Sequence, residues 1–67
     1  MSKNTKKSLR DLRIENRYTQ RAISENLGIP FSTYVAYELG YRKPSLAAVS
    51  AAAKFYGVKM ESIECGN

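Results

Sequence analysis

Gly28 separates two short segments that both carry helix-forming patterns, and this spacing limits the folds open to the chain. The first segment, residues 19–27, begins with Thr19, whose hydroxyl can cap a helix N-terminus. The second segment, residues 31–39, ends at Gly40, and glycine readily adopts the left-handed conformation that stops a helix. Because only a few residues lie between the segments, we predict two short helices joined by a tight turn.

Two helices joined by a short glycine turn are typical of a helix-turn-helix, whose second helix can enter a DNA major groove. Ile23 and Leu27 give the first helix an inward apolar face. In the second helix, Tyr34, Tyr37 and Glu38 share one face because of their three- and four-residue spacing. The outward face then carries Phe31, Ser32, Thr33, Val35 and Ala36. Exposed Phe, Val and Ala on so small a domain indicate a surface that contacts another molecule.

The segments around this pair predict three more helices, which gives an all-α domain of five helices. One helix is expected over residues 8–16, with Leu9 and Leu12 turned inward. Another covers residues 46–56, where alanines favour helix formation and tight packing. A short fifth helix is expected over residues 60–64. The core candidates of the fourth helix are Leu46, Val49, Ala53 and Tyr56.

We expect one domain over residues 8–64, between a basic flexible arm (residues 1–7) and a short tail (residues 65–67). The arm can reach round a DNA duplex or fray as an ordinary terminus. A chain of 67 residues is near the lower limit for folding on its own core, so helix packing and dimerisation are the available means of stabilisation. Met60 and Ile63 belong to a last apolar set that forms either a lid on the core or a dimer surface.

One cysteine and no histidine restrict the chemistry open to the chain. A single thiol, Cys65, forms neither an intrachain disulfide nor a zinc cluster; it is an idle thiol or a crosslink between two oxidised copies. No nucleophile lies beside a base and no glycine loop could hold a phosphate, so we expect no enzyme, cofactor, metal or small-molecule substrate. No apolar run predicts a signal or membrane segment, and we expect a cytoplasmic location.

Eleven Lys and Arg against six Asp and Glu give the chain a formal net charge of +5. On so small a domain this charge favours nucleic acid, although it can also serve solubility alone. Arg42 and Lys43 form a cationic loop directly after the second helix of the motif. Gln20 lies in the first turn of the helix before it, where an amide and free backbone N–H groups can hold a phosphate or simply be solvated.

An ordered series of residues runs through nearly the whole chain: Leu9, Leu12-Arg13, Tyr18-Thr19-Gln20, Ile23-Ser24, Leu27-Gly28-Ile29, Ser32-Thr33-Tyr34, Tyr37-Glu38, Gly40, Lys43-Pro44-Ser45-Leu46 and Gly57-Val58. This series, which needs no gap over residues 9–64, resembles the Cro/C1-type (lambda repressor-like) helix-turn-helix family of phage and bacterial regulators. The resemblance implies a compact five-helix DNA-binding domain whose recognition helix covers residues 31–39.

The resemblance, together with the charges and the apolar pattern of the residues themselves, predicts roles for individual residues. The base-reading positions are Phe31, Ser32, Thr33, Val35 and Ala36. The expected DNA phosphate contacts are Gln20, Arg21, Tyr41, Arg42, Lys43 and Arg10. Arg13 and Glu38 match a structural ion pair of the family. The expected dimer surface consists of Phe55, Met60 and Ile63.

Four positions depart from the family pattern. Arg17 stands where glycine is often found, so a non-glycine residue must accept an unusual backbone angle. Pro30 replaces the usual Ser or Thr before the recognition helix, which removes a side-chain cap. Lys59 replaces a cap before the fifth helix, which favours a short helix there. Leu39 replaces the usual Asn, which removes a polar contact with the DNA backbone.

The recognition face lacks the long polar side chains that pair with purine edges, so we expect readout through thymine methyls, Ser and Thr hydrogen bonds, and DNA shape. The expected function is a sequence-specific transcriptional regulator, most simply a dimeric repressor that blocks polymerase at a partly palindromic operator. Its half-sites would lie roughly 34 Å apart. The alternative is a protein-interaction module, such as an antirepressor, that uses the apolar Phe31, Val35 and Ala36 surface.

Overall fold

A computed structural model of the chain describes residues 6–64. This part of the chain is mainly helical, with α1 (Leu9–Glu15), α2 (Gln20–Leu27), α3 (Phe31–Leu39) and α4 (Leu46–Tyr56). Two short strands, β1 (Lys7–Ser8) and β2 (Ile63–Glu64), pair in parallel, and one turn of 3₁₀ helix, Met60–Ser62, precedes β2. The arm residues 1–5 and the tail with Cys65 lie outside the described residues.

The expected fifth α-helix is wrong, because Met60–Ser62 forms only a single 3₁₀ turn. Lys59 precedes this turn without a side-chain cap, and Ile63 already has extended backbone, with φ −101° and ψ 126°. Ile63 lies opposite Lys7 in the parallel pair, so the end of the predicted helix is drawn into a strand instead. Lys7 itself therefore lies in β1, although the sequence analysis assigns it to the flexible arm.

Side-chain caps define where three of the four α-helices begin. The Ser8 hydroxyl accepts from the backbone N–H of Asp11, whose carboxylate accepts from the N–H of Ser8, which forms a capping box before α1. The Thr19 hydroxyl caps α2 and the Ser45 hydroxyl caps α4 in the same way, each accepting a backbone N–H. Before α3, Pro30 provides no side-chain cap, as the sequence predicts.

One core lies between the helices and β2. Its buried apolar residues are Leu9, Leu12, Ile23, Tyr34, Val49, Ala52, Ala53 and Ile63. Two sequence expectations need correction here. Leu46 is 75% exposed rather than buried, because it is the first residue of α4 and lies at the rim of the core. Ile63 is only 2% exposed, so this expected dimer-surface residue packs inside its own chain.

The connection between α1 and α2 contains the unusual backbone angle that the sequence predicts at Arg17. Arg17 has φ +64° and is the only non-glycine residue with positive φ in the stretch 6–64. Its backbone N–H donates to the Ile14 carbonyl at 3.0 Å, which holds the chain in this conformation. A side chain in left-handed backbone costs about 1–2 kcal/mol, so the connection is locally strained.

We predict that Arg17→Gly stabilises the protein by about 1 kcal/mol, because relief of the left-handed strain outweighs the extra freedom of glycine in the unfolded chain. Urea unfolding at neutral pH measures the change. Arg17→Ala is the matched control, since it removes the charge and keeps the β-carbon, and it should give no such gain. Equal stabilisation by both variants would assign the effect to charge and contradict the backbone explanation.

Candidate nucleic-acid interface

The turn between α2 and α3 is made by a left-handed glycine and two capping hydrogen bonds. Gly28 has φ +70°, and its backbone N–H donates to the Glu25 carbonyl at 3.2 Å. The next backbone N–H, of Ile29, donates to the Ser24 carbonyl at 2.9 Å. A β-carbon at Gly28 would meet no atom within 4 Å, so the position demands glycine for its backbone angle rather than for space.

The orientation of α3 is set by the side chains that it buries. Tyr34 is fully buried, the Glu38 side chain is 2% exposed, and Tyr37 packs against the core. The opposite side of the helix therefore faces outward. Ser32 and Leu39 are exposed there, and Leu39, at 59%, is a candidate contact that the sequence analysis does not assign to this face.

The five expected base-reading residues occupy a broad arc of α3 rather than a narrow stripe. Ser32 and Ala36 are one helical turn apart and lie near the middle of this arc, where Ala36 is half-buried. Phe31 lies at the edge next to α2, where it contacts Arg21. Thr33 lies at the other edge, in a groove that it shares with the turn residues and the start of α4. Val35 completes the set and is also half-buried.

An ion pair between Arg13 and Glu38 connects α1 to the inner side of α3. The Arg13 Nε donates to Glu38 Oε2 at 2.7 Å, and Nη2 donates to Oε1 at 3.2 Å. The third nitrogen, Nη1, donates to the Tyr18 carbonyl at 2.9 Å. The two side chains are only 14% and 2% exposed, so this bidentate pair is shielded from solvent.

Gln20, an expected phosphate contact, is part of the same network. Its Nε2 donates to Glu38 Oε1 at 3.0 Å, which joins the first residue of α2 to α3 and fixes the orientation of the amide. Burial by itself raises the pKa of Glu38, but hydrogen bonds from Arg13 and Gln20 and the nearby Tyr34 hydroxyl outweigh it and lower the pKa. The carboxylate is therefore ionised at neutral pH.

Two tyrosine hydroxyls are buried near this carboxylate. The Tyr34 hydroxyl lies beside Glu38 outside good hydrogen-bond geometry, and burial together with the negative charge raises its pKa. Burial likewise raises the pKa of Tyr56 to about 12, with Glu38 adding to the effect. Both phenols are therefore neutral at physiological pH, and both side chains pack in or against the core.

The expected cationic phosphate contacts are exposed and come from three elements around α3. Arg21 projects from α2, and its guanidinium carbon lies 4.3 Å from the centre of the Phe31 ring. The Tyr41–Lys43 loop is held to the end of α3, because the backbone N–H groups of Tyr41 and Arg42 both donate to the Ala36 carbonyl. Arg10 of α1 lines a surface groove with Tyr37 and Gly40, near that same end.

The expected dimer-surface residues do not form one patch. Phe55 packs its ring edge-on against Tyr18 and Tyr56, at centroid distances of 5.4 and 5.3 Å. Met60 is half-buried and lines an apolar groove on the other side of α4. The residues of this groove, called the α4 groove below, are Lys43, Pro44, Leu46, Val49, Met60 and Glu61.

Within residues 6–64, no group of three or more His, Cys, Asp or Glu side chains could hold a metal ion. None of the helices described over that range is long and apolar enough to cross a bilayer. The cationic side chains beside the exposed α3 face give this part of the surface a positive charge, which favours a polyanion.

Residues 9–63 match the family model described as helix-turn-helix, and the chain belongs to this family, in its Cro/C1-type branch. The family consists of DNA-binding transcription regulators. The resemblance inferred from the sequence is thus confirmed. A comparison with solved structures gives no significant match.

Three relatives illustrate the range of the family. The chain is 40% identical over 55 residues to the transcriptional repressor RstR of a cryptic CTXphi phage in Vibrio cholerae, covering 82% of this chain and 50% of RstR. It is 38% identical over 58 residues to a helix-turn-helix-type transcriptional regulator of Methanocaldococcus jannaschii, covering 87% of this chain and 88% of that regulator. It is 34% identical over 55 residues to the regulator AnsR of Bacillus subtilis, covering 82% of this chain and 47% of AnsR. The chain thus spans about half the length of two of these relatives.

We predict that Glu38→Gln destabilises the protein by about 3 kcal/mol at pH 7, because it leaves the shielded Arg13 charge without a counter-charge. The native contribution is present above the ordinary carboxyl pKa of about 4.5 and is lost as the pH falls through the lowered pKa of Glu38. The stability difference between wild type and variant should therefore shrink on acidification. Urea unfolding at a series of pH values measures it.

The exposed pair between Lys7 and Glu15 provides the control for this prediction. Its Nζ–Oε1 distance is 2.9 Å, but both side chains are about half exposed to solvent. Glu15→Gln should therefore cost less than about 1 kcal/mol. Equal losses at Glu15 and Glu38 would contradict the special role given to the buried pair.

Proposed function

We propose that the chain binds double-stranded DNA with α3 in the major groove and represses transcription by occupying its operator. One observation carries the proposal. The outward face of α3 is bordered by exposed cationic side chains from the start of α2, the loop after α3 and α1. Such an arrangement suits a duplex, because the cations can meet phosphates while the helix meets base edges.

The chemistry of the α3 face indicates how sequence would be read. Ser32 offers a hydroxyl for hydrogen bonds, while Val35, Ala36 and Leu39 offer apolar contact. Apolar side chains in the major groove select the thymine methyl group, and phosphate contacts supply affinity without sequence preference. DNA shape supplies the remaining selectivity. We therefore propose that the operator half-site contains thymines opposite the middle of α3.

The names of the relatives support a role in transcription control. RstR is a transcriptional repressor, and it shares 40% identity with this chain over 55 residues. Simple occupancy of an operator requires no further domain, because a bound protein can exclude polymerase by its bulk. Repression is therefore the mode of regulation that these residues can perform by themselves.

The proposal predicts that the protein enriches a subset of duplexes from a random-sequence pool. Binding to the enriched duplex should weaken steeply as salt rises, since each neutralised phosphate contributes about 0.9 to the slope of log K against log salt. Val35→Ala should relax the preference at one thymine position and leave the slope unchanged, because it removes a methyl contact and no charge. Filter binding or fluorescence anisotropy measures both quantities.

Equal, weak binding to every duplex would contradict sequence-specific binding and indicate non-specific attraction between a basic surface and DNA. Salt-independent behaviour or no binding at all would contradict the nucleic-acid proposal itself. The Phe31, Val35 and Ala36 surface would then be tested against protein partners, as expected of an antirepressor.

We further propose that two copies bind together through the α4 groove. Leu46 is 75% exposed at this groove, which is a large apolar exposure for a small domain. Lys43 and Glu61 also line it. In a two-fold contact, a residue pair that meets across the interface occurs twice, so Lys43 of each copy can pair with Glu61 of the other. Two domains joined in this way suit a partly palindromic operator.

The dimer proposal predicts that Leu46→Lys lowers the molar mass from dimer to monomer, because it buries an extra cation beside Lys43. It should also weaken binding to a full operator more than binding to a half-site. Ile14→Lys is the control, since Ile14 is 48% exposed on α1 and does not line the groove. Sedimentation equilibrium measures the mass. A wild-type monomer, both free and on the operator, would contradict the proposal.

A further inference from the structure

Arg21 and Phe31 form a stacked pair at the junction of α2 and α3. The guanidinium carbon lies 4.3 Å from the centre of the ring, within the range of a cation–π interaction. Both residues are exposed, Phe31 to 37%. The two side chains come from different helices, so their contact depends on the packing of the helix-turn-helix.

The guanidinium is held by this stack and by little else. Over residues 6–64, the side chain of Arg21 has no carboxylate within ion-pair distance and donates no hydrogen bond. By contrast, all three guanidinium nitrogens of Arg13 donate hydrogen bonds to protein oxygens. Arg21 therefore retains its full set of N–H donors for a molecule outside the chain.

Stacking leaves the hydrogen-bonding edge of a guanidinium accessible. An arginine that stacks on an aromatic ring covers one flat face of its guanidinium, while the N–H groups lie in the guanidinium plane and point outward from its rim. That edge matches two oxygens of a phosphate group. A side chain already held in one orientation also loses less freedom on binding than a free arginine does.

We infer that Phe31 is a positioning residue that holds Arg21 against a phosphate of the DNA backbone. This inference rests on the proposed DNA-binding function. In a helix-turn-helix the first helix crosses the backbone and the second enters the groove, so the start of α2 lies beside phosphates. Phe31 then contributes to affinity through Arg21, which differs from the direct base reading expected from the sequence.

The two roles of Phe31 differ in a measurable quantity. A base-reading phenyl ring contacts a thymine methyl and releases no counterion, so its loss changes sequence preference but not the salt dependence. A ring that positions Arg21 maintains one phosphate contact, so its loss lowers the slope of log K against log salt. The slope therefore separates the roles.

The experiment measures this slope for the full chain on the selected operator and on a duplex of unrelated sequence. Arg21→Gln should lower the slope by about 0.9 on both duplexes. Phe31→Leu should lower it by most of that amount, because leucine fills the space without an aromatic face. Phe31→Tyr should keep the wild-type slope, and the Arg21→Gln, Phe31→Leu double variant should lose no more than Arg21→Gln alone.

Ile14→Ala is the control, because Ile14 is an exposed apolar residue of α1 outside the proposed interface and its loss changes no charge. It should leave the slope unchanged, and thermal unfolding of each variant verifies that the fold is intact. An unchanged slope in Phe31→Leu, with altered preference for one base pair, would overturn the inference in favour of direct reading. A loss for Arg21→Gln at one G·C pair alone would show that Arg21 contacts guanine rather than phosphate.

The unrelated duplex keeps this test separate from the test of function. Phosphate contacts do not depend on sequence, so the slopes are measurable even where no operator is found. Failure of wild type to bind any duplex would overturn the proposed function and this inference together. Binding by wild type, with equal slopes in wild type and Arg21→Gln, would overturn the inference alone.

Discussion

The buried ion pair between Arg13 and Glu38 is the interaction on which the rest of the interface depends. A carboxylate shielded from water is tolerated only with its charge balanced, and Arg13 supplies that balance through two hydrogen bonds. Because Glu38 belongs to α3 and Arg13 to α1, the pair fixes how far α3 can rotate about its own axis. The same carboxylate orients the Gln20 amide at the start of α2. One acidic side chain of α3 thus connects this helix to both α1 and the start of α2.

The distribution of polarity on α3 differs from that of an ordinary surface helix. Its inner side holds a charged carboxylate as well as the tyrosine rings, while Phe31 and Leu39 are exposed. A solvated helix places its apolar residues inward, so the exposure of Phe31 and Leu39 is consistent with the proposed contact with DNA. The turn at Gly28 precedes α3 and the left-handed Gly40 ends it, which keeps this helix short.

Local signals predicted most of the fold. The cap at Thr19 and the strained backbone at Arg17 depend on residues near in sequence, and the structure contains both. Among features that depend on distant neighbours, the ion pair between Arg13 and Glu38 was expected from the family resemblance, and others were missed or wrong. The pairing of β1 with β2 involves two residues on each strand, too few to leave a pattern, and it accounts for the absent fifth helix and for buried Ile63.

For the candidate interface, too, the sequence predicted local features and missed contacts between helices. Periodicity identified the outward residues of α3, because helical spacing assigns faces without knowledge of the tertiary structure. It gave no indication that Arg21 stacks on Phe31 or that Gln20 donates to Glu38, since both contacts require the packing angle between α2 and α3.

The parallel pairing of β1 with β2 has a consequence for the order in which the domain is completed. Lys7 and Ser8 are among the first described residues to be synthesised, and their partners Ile63 and Glu64 are the last. The strand pair therefore closes a loop that contains α1 to α4. The entropy cost of closing so long a loop opposes the pairing until the helices have packed.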